Sequence, residues 1–323
     1  KYHMKILAIQ NRMGIGDTVI FLPFIKALYK KFNSPISLLV KESSKADQYL
    51  FETNYIDKIF ILKRDSNNNN RHSGILGSFN LIKDLKKNNF DKIFIFNSSL
   101  RFNLIAKFSK IPEIYQYPLF DKNKQHIIDT PKKFFRDNLN LEVDEDPSIQ
   151  ISEKSISETI EKLQINKNQF NILLGIGGSG PTKRIPSKIF LDVINKILTY
   201  KKCKFFLATG KNKEEQMILN EILNSKFKNF CVPLDNFTIK ETLPIIKCCN
   251  LSVCNDTSFS HLSAALGIKT ITLMADTPLI YGNYSSKMFP IIPDGEKTVS
   301  HDTLGKERIS PQKIFDKIIE IIN

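Results

Sequence analysis

The chain has 323 residues, 41% of them hydrophobic and 25% charged, with a formal net charge of +14. It contains no apolar run near the ~20 residues that a membrane-crossing helix needs, and its length suits two globular domains of about 150 residues each. The positive charge favours anionic partners such as nucleic acid, anionic membrane or phosphorylated substrates. The lysines are spread along the chain, however, and no helix-turn-helix, ribonucleoprotein or zinc-finger pattern occurs, so no nucleic-acid partner is expected. Met4-Lys5-Ile6-Leu7-Ala8-Ile9 stops at polar Gln10-Asn11-Arg12 and does not read as a signal peptide, so a cytoplasmic protein is expected.

In chain order, residues 5–9, 36–40, 58–61 and 92–96 read as short strands bounded by polar residues. Between them, residues 17–31 carry Val19, Ile20, Phe24, Ala27 and Leu28 at helical spacing, and 75–87 do likewise. Residues 65–74, with Asn67-Asn68-Asn69-Asn70, read as a polar, mobile loop. Residues 141–150 are acidic, contain Pro147 and lack periodicity, so they are expected to link two domains, 1–150 and 151–323. The rhythm then restarts. Strands are expected at 171–175, 204–208, 251–254 and 270–274, and helices at 187–200, 213–225, 239–248 and 259–266. After an irregular stretch over 277–309 comes a last helix at 310–322, free to pack back on the N-terminal domain. Strand and helix in alternation argue for parallel sheets with right-handed crossovers. Two such α/β halves favour a site in the cleft between them, at the carboxyl ends of both sheets.

The five cysteines, Cys203, Cys231, Cys248, Cys249 and Cys254, are odd in number and form no C-x-x-C pair. They are expected to be buried free thiols. No cluster for a metal and no nucleophile elbow is read from the sequence.

Three places have the residue types of a site. Gly14-Ile15-Gly16-Asp17 follows the first strand. Asp17 either caps the next helix or offers a carboxylate to the cleft as a general base. Gly175-Ile176-Gly177-Gly178-Ser179-Gly180-Pro181-Thr182-Lys183-Arg184 is neither a Walker A loop nor a G-x-G-x-x-G fingerprint. It is a flexible turn, or a phosphate cradle in which amides approach the anion and Lys183 neutralises it. Asn255-Asp256-Thr257-Ser258-Phe259-Ser260-His261-Leu262 puts small polar residues at a helix start. They cap the helix and also expose amide groups to an anion.

Together these segments resemble glycosyltransferase family 9, the lipopolysaccharide heptosyltransferases with the GT-B fold of two Rossmann-like parallel-sheet domains facing an interdomain cleft. Gly16-Asp17-Thr18-Val19-Ile20-Phe21-Leu22-Pro23 is similar to the family's G-D-x-x-x-x-[LT]-P opening. Ser179-Gly180-Pro181-Thr182-Lys183-Arg184-Ile185-Pro186 is similar to S-W-P-T-K-R-W-P, and the run from Asp256 to Gly267 to D-T-G-x-x-H-L-A-A-A-L-G. The resemblance implies an N-terminal acceptor domain and a C-terminal nucleotide-sugar domain. It implies an inverting, metal-independent transfer, without cofactor, of a sugar from ADP-heptose to an anionic lipid-linked saccharide of the lipopolysaccharide core. The enzyme would work in the cytoplasm, in peripheral contact with the inner face of the inner membrane.

On the matching positions, Asp17 would be the base and Lys183 would stabilise the leaving phosphate. Ser179, Thr182, Lys183, Asp256, Thr257, Ser258, Phe259 and His261 would line the donor. Glu214, in a G-x-x-x-E run from Gly210, would hold the ribose, and Phe237 would border the adenine. Gly16, Asn97 and Arg101 would meet the acceptor, Arg101 through likeness to Q-G-L-x-[RK]. The chain departs from the pattern at several points. Ser258 stands for the signature glycine, Ile185 for a tryptophan, Ile95 for an acidic residue and Asn97 for a glutamine. Met274-Ala275-Asp276-Thr277-Pro278 lacks the glycine-proline of the family loop. Other nucleotide sugars, epimerase chemistry on the same fold, or a binding protein that has lost transfer activity are the alternatives.

Overall fold

A computed structural model describes residues 3–64, 70–121 and 123–323. The chain divides into two compact units, Lys1–Gln150 and Ile151–Asn323. Among the described residues, no helix is long and apolar enough to cross a membrane.

The first unit runs β1 (Ile6–Gln10), α1 (Ile15–Phe32), β2 (Ile36–Lys41), β3 (Ile56–Leu62), α2 (Gly74–Lys86), β4 (Lys92–Ile95), α3 (Leu100–Phe108), β5 (Glu113–Gln116) and α4 (Asp129–Leu139). Its five strands are all parallel, in the order β3-β2-β1-β4-β5. β1 is buried from end to end, as a central parallel strand covered on both faces must be, which is why it reads as a continuous apolar run. The strand order reverses between β1 and β4, so the loops after these two strands diverge and leave a crevice at their carboxyl ends. An aromatic cluster fills one side of this sheet: Phe96 lies 4.6 Å from Phe21, and Phe24 lies 5.4 Å from Phe135.

Residues 141–150 form no regular element, yet they are more than a linker. Val143 and Ile149 are buried, and the Tyr55 hydroxyl donates to the Ser148 carbonyl at 2.5 Å. The acidic composition has a local cause: Glu145 pairs with Lys26 and Lys30 of α1, and Asp144 with Lys132 of α4. Of the loop expected to be mobile, residues 65–69 lie outside the described residues, and 70–73 lead into α2.

The second unit runs α5 (Glu153–Leu163), β6 (Phe170–Gly175), α6 (Ser187–Tyr200), β7 (Cys203–Ala208), α7 (Lys213–Leu223), β8 (Cys231–Pro233), α8 (Ile239–Lys247), β9 (Leu251–Asn255), α9 (Ser258–Ala265), β10 (Thr270–Leu273), β11 (Met288–Ile291) and α10 (Pro311–Ile322). The six strands are again parallel, in the order β11-β10-β9-β6-β7-β8. Here the order reverses between β9 and β6. The stretch expected to be irregular contains β11. Helix α10, expected at 310–322, packs against α6 and β10 of its own unit. Ile314 and Ile318, one turn apart on its apolar face, are almost fully buried in that core. All five thiols are buried and unpaired, and burial pushes Cys203 and Cys254 up to about 12.

Candidate functional site

In a parallel sheet every strand delivers its following loop to the same edge. In the second unit this gathers the loops after β6, β7, β8 and β9, and with them every donor residue expected from the sequence. Gly175 ends β6 against β9, and a Cβ there would meet the Cys254 Sγ at 2.7 Å. Gly177 is equally confined, since a Cβ would lie 2.4 Å from a Glu215 carboxylate oxygen. Glu215 is buried, 6% exposed, and accepts from the Gly178 amide at 2.6 Å and the Gly210 amide at 3.3 Å. From the other side, buried Arg184 donates through Nε to the Gly178 carbonyl at 2.6 Å and through Nη2 to the Ser179 carbonyl at 3.1 Å. A carboxylate on the amides and a guanidinium on the carbonyls therefore set the course of the glycine loop. The loop is not a floppy turn.

Glu215 was not legible as a site residue, whereas Glu214 was expected to hold the ribose. Glu214 is exposed and pairs with Arg184. The signal for Glu215 was its place three residues after the cap Asn212, whose side chain accepts from the Glu215 amide at 2.8 Å. Glu215→Ala would leave the part-buried Gly178 and Gly210 amides without their acceptor. It is expected to lower the unfolding free energy by about 1–3 kcal/mol in urea denaturation, with Glu215→Gln losing less.

The loop after β9 faces the glycine loop across the order reversal, tied to it by Asn255 Nδ2 donating to the Gly177 carbonyl at 3.0 Å. Asp256 comes next. One oxygen lies 3.1 Å from Lys183 Nζ and the other 3.7 Å from His261 Nε2. The other nitrogen of His261 lies 2.6 Å from the Tyr284 hydroxyl, with the two rings stacked at 5.6 Å. Burial alone would push the Asp256 carboxyl up. The nearby His261 and Lys183 outweigh it and hold the carboxyl well below the usual carboxylate range. Burial pushes the Tyr284 hydroxyl far above its ordinary value. Tyr284 belongs to the same polar chain but lies 23 residues from His261, in a stretch without periodicity, so nothing local pointed to it.

Helix α9 starts here, with the Thr257 hydroxyl accepting from the Phe259 amide at 3.3 Å. Ser258 is its first residue and is not among the positive-φ positions. A serine in place of the signature glycine is therefore unstrained. Ile185, in place of the tryptophan, is fully buried in the core of the unit. Phe237 is half-buried in the loop after β8. That loop is held to the one after β7 by Gln216 Nε2, which donates to the Gly210 carbonyl at 3.0 Å and to Asp235 at 3.2 Å. Thr209 Oγ1 and Asn255 Oδ1, at the ends of β7 and β9, are buried with no hydrogen-bond partner among the described residues. Such atoms call for a water or a polar ligand.

In the first unit the loops after β1 and β4 meet at its order reversal. Asn97 Nδ2 donates to Asn11 Oδ1 at 3.2 Å, and Asn97 Oδ1 accepts from the Ser99 amide at 3.0 Å. Gly14, whose φ of 85° suits glycine, is the N-cap of helix α1, and no side chain caps the helix. Asp17 is the third residue of this helix and half-buried, so it is not the N-cap. It does sit in the first turn, where the helix dipole favours a carboxylate. Arg101 is turned away from this cluster. Its Nε donates to Ser78 Oγ at 2.9 Å and its Nη2 to the His72 carbonyl, which fixes α3 to the start of α2. Arg12, two residues after β1, donates to the Gln125 carbonyl at 2.6 Å, and Gln125 donates to Ser98, the residue after Asn97, at 2.7 Å.

Residues 78–298 match glycosyltransferase family 9 (heptosyltransferase). The chain is 24% identical to lipopolysaccharide heptosyltransferase 1 of Campylobacter coli, covering 94% of this chain and 93% of the relative. It is 27% identical to lipooligosaccharide heptosyltransferase 2 of Campylobacter jejuni, covering 94% and 95%. Its fold is similar to that of E. coli ADP-heptose lps heptosyltransferase II, with a TM-score of 0.74 at 18% identity over 99% of this chain and 98% of that one. The two parallel-sheet units are those of the GT-B fold, and the chain belongs to glycosyltransferase family 9, the heptosyltransferases.

Proposed function

We propose that the enzyme moves heptose from ADP-heptose, with inversion, to an anionic lipid-linked saccharide of the lipopolysaccharide or lipooligosaccharide core, at the inner face of the inner membrane. The names of the Campylobacter and E. coli relatives support the sugar, the nucleotide and the acceptor. The observation that carries the reading is the Lys183–Asp256–His261 cluster beside the glycine loop and the start of α9. It offers a cation and helix amides to a diphosphate at the order reversal, where a parallel α/β sheet binds nucleotides.

In this reading Ser179, Thr182, Lys183 and the amides of Thr257, Ser258 and Phe259 hold the diphosphate. Asp256 stays ionised, orients Lys183 and faces the sugar, while Glu214 and Phe237 hold the ribose and adenine. Asp17 takes the proton of the acceptor hydroxyl as its oxygen attacks the anomeric carbon. The bond from that carbon to the phosphate oxygen breaks, and ADP leaves with the electron pair. Lys183 and the fixed amide dipoles neutralise the developing charge without a metal. Gly16 and Asn97, with Arg12 in the place expected of Arg101, meet the acceptor.

The test is a thermal-shift panel of ADP, UDP and GDP with their sugars. Only native-state binding raises the melting point. Stabilisation by ADP and ADP-heptose is expected. Preference for UDP or GDP would overturn the donor, and no response to any nucleotide would overturn the reading.

A further inference from the structure

Helices α2 and α3 pack side by side and leave large apolar side chains in solvent. Ile75, Leu76 and Phe79 are 80%, 79% and 64% exposed, and Phe108 is 61% exposed. They are not scattered. Ile75, Phe79 and Ile82 recur at helical spacing on α2, as Leu100, Leu104 and Phe108 do on α3, and both rows line one groove of about 530 Å³. Each helix already buries another face in the core, through Leu81 and Leu85 on α2 and Phe102 and Ile105 on α3. The exposed rows are thus a second apolar face, of the kind that marks an interaction site.

The rim is basic. Lys83, Lys86 and Lys87 are exposed and line an adjoining depression that shares Phe79 and Ile82 with the groove, and Lys107 is exposed on α3, next in sequence to Phe108. The only carboxylate on either helix is Asp84, and it is already paired with Arg71 at 2.7 Å. The Arg71 hydrogen bond holds that carboxyl down at about 2, so the pair persists over the neutral range. Among the described residues, no ion pair joins Lys83, Lys86, Lys87 or Lys107 to a carboxylate. A second copy of the chain would bring like charges together across a symmetric interface, whereas a surface of phosphate headgroups over acyl chains matches both the rim and the groove.

We propose that this face of α2 and α3 docks onto an anionic lipid bilayer. Leu76 and Phe79 enter the boundary between headgroups and acyl chains, and the lysines contact lipid phosphates. The groove begins at Leu100, directly after Asn97-Ser98-Ser99, so docking holds the carboxyl end of β4 next to lipid. The inference goes beyond the transferase reading and depends on it only for its purpose.

The test is flotation of the full chain with vesicles of phosphatidylcholine alone and of equimolar phosphatidylcholine and phosphatidylglycerol, without donor or acceptor. The chain is expected to float with the anionic vesicles and to release as salt rises. Leu76→Ser with Phe79→Ser, and Lys83→Glu with Lys86→Glu and Lys87→Glu, should each weaken binding about tenfold or more. Both variants should keep the wild-type melting point and nucleotide response. Variants that bind like wild type, a wild-type chain that binds no vesicle, or a wild-type dimer that the apolar variant makes monomeric would overturn the proposal. Flotation without any nucleotide response would leave docking standing and remove the transferase reading instead.

Discussion

Replacing Asp17 with Asn is expected to lower kcat by ~10²–10⁴-fold, the usual contribution of a positioned general base, while leaving stabilisation by ADP unchanged. Asn keeps the shape of the side chain and loses only its basicity. Gly14 is the N-cap of α1 and no side chain caps the helix, so the substitution removes no cap and the helix should persist. The measurement is steady-state transfer with saturating donor, alongside the melting point with and without ADP. An activity within a few-fold of wild type would remove Asp17 from the proton transfer. A variant that also lost its ADP response would point to misfolding of the helix start.

Lys183→Ala is expected to abolish stabilisation by ADP and to lower kcat/KM by about 10²-fold or more, the usual cost of removing a group that stabilises developing charge. The same variant has a signature independent of substrate. Burial disfavours the charged Asp256 carboxylate, and its folded pKa stays depressed because its polar neighbours, Lys183 among them, outweigh that burial. A depressed folded pKa contributes stability that is present above the unfolded value, roughly 4, and lost as pH falls below it. Without Lys183 the folded pKa rises towards the unfolded one and this contribution shrinks. The acid-unfolding midpoint should then move to higher pH, read by far-ultraviolet circular dichroism. An unchanged midpoint together with a retained ADP response would contradict the assignment.

The strand and helix rhythm was legible because parallel strands covered on both faces are short apolar runs. β1, β6, β7 and β9 are such runs and appear within a residue or two of their expected ends. β5, β8 and β11 were not read. Each lies at a sheet edge and is only three or four residues long, and β5 carries Glu113 and Gln116, β8 Pro233 and β11 Pro290. That the motif segments of the second unit share one end of the sheet was legible, because each follows a strand that the sheet aligns. The direction in which a side chain points was not legible. Glu214 and Glu215 differ by about 100° around α7, and only the packed glycines decide that Glu215 is the one turned inward. Arg101 fitted a motif by spacing, but Ser78 and the His72 carbonyl, brought by α2, decide where it points. Tyr284 meets His261 through tertiary structure alone.

The most direct test of the central claim is a transfer assay with ADP-heptose and a lipid-linked core acceptor, read by mass spectrometry of the acceptor and by ADP release, for wild type and Asp17→Asn. One heptosyl unit gained per ADP released, nearly absent in the variant, is the predicted result. ADP release without acceptor gain, or transfer from a UDP-sugar in preference to ADP-heptose, would contradict the account.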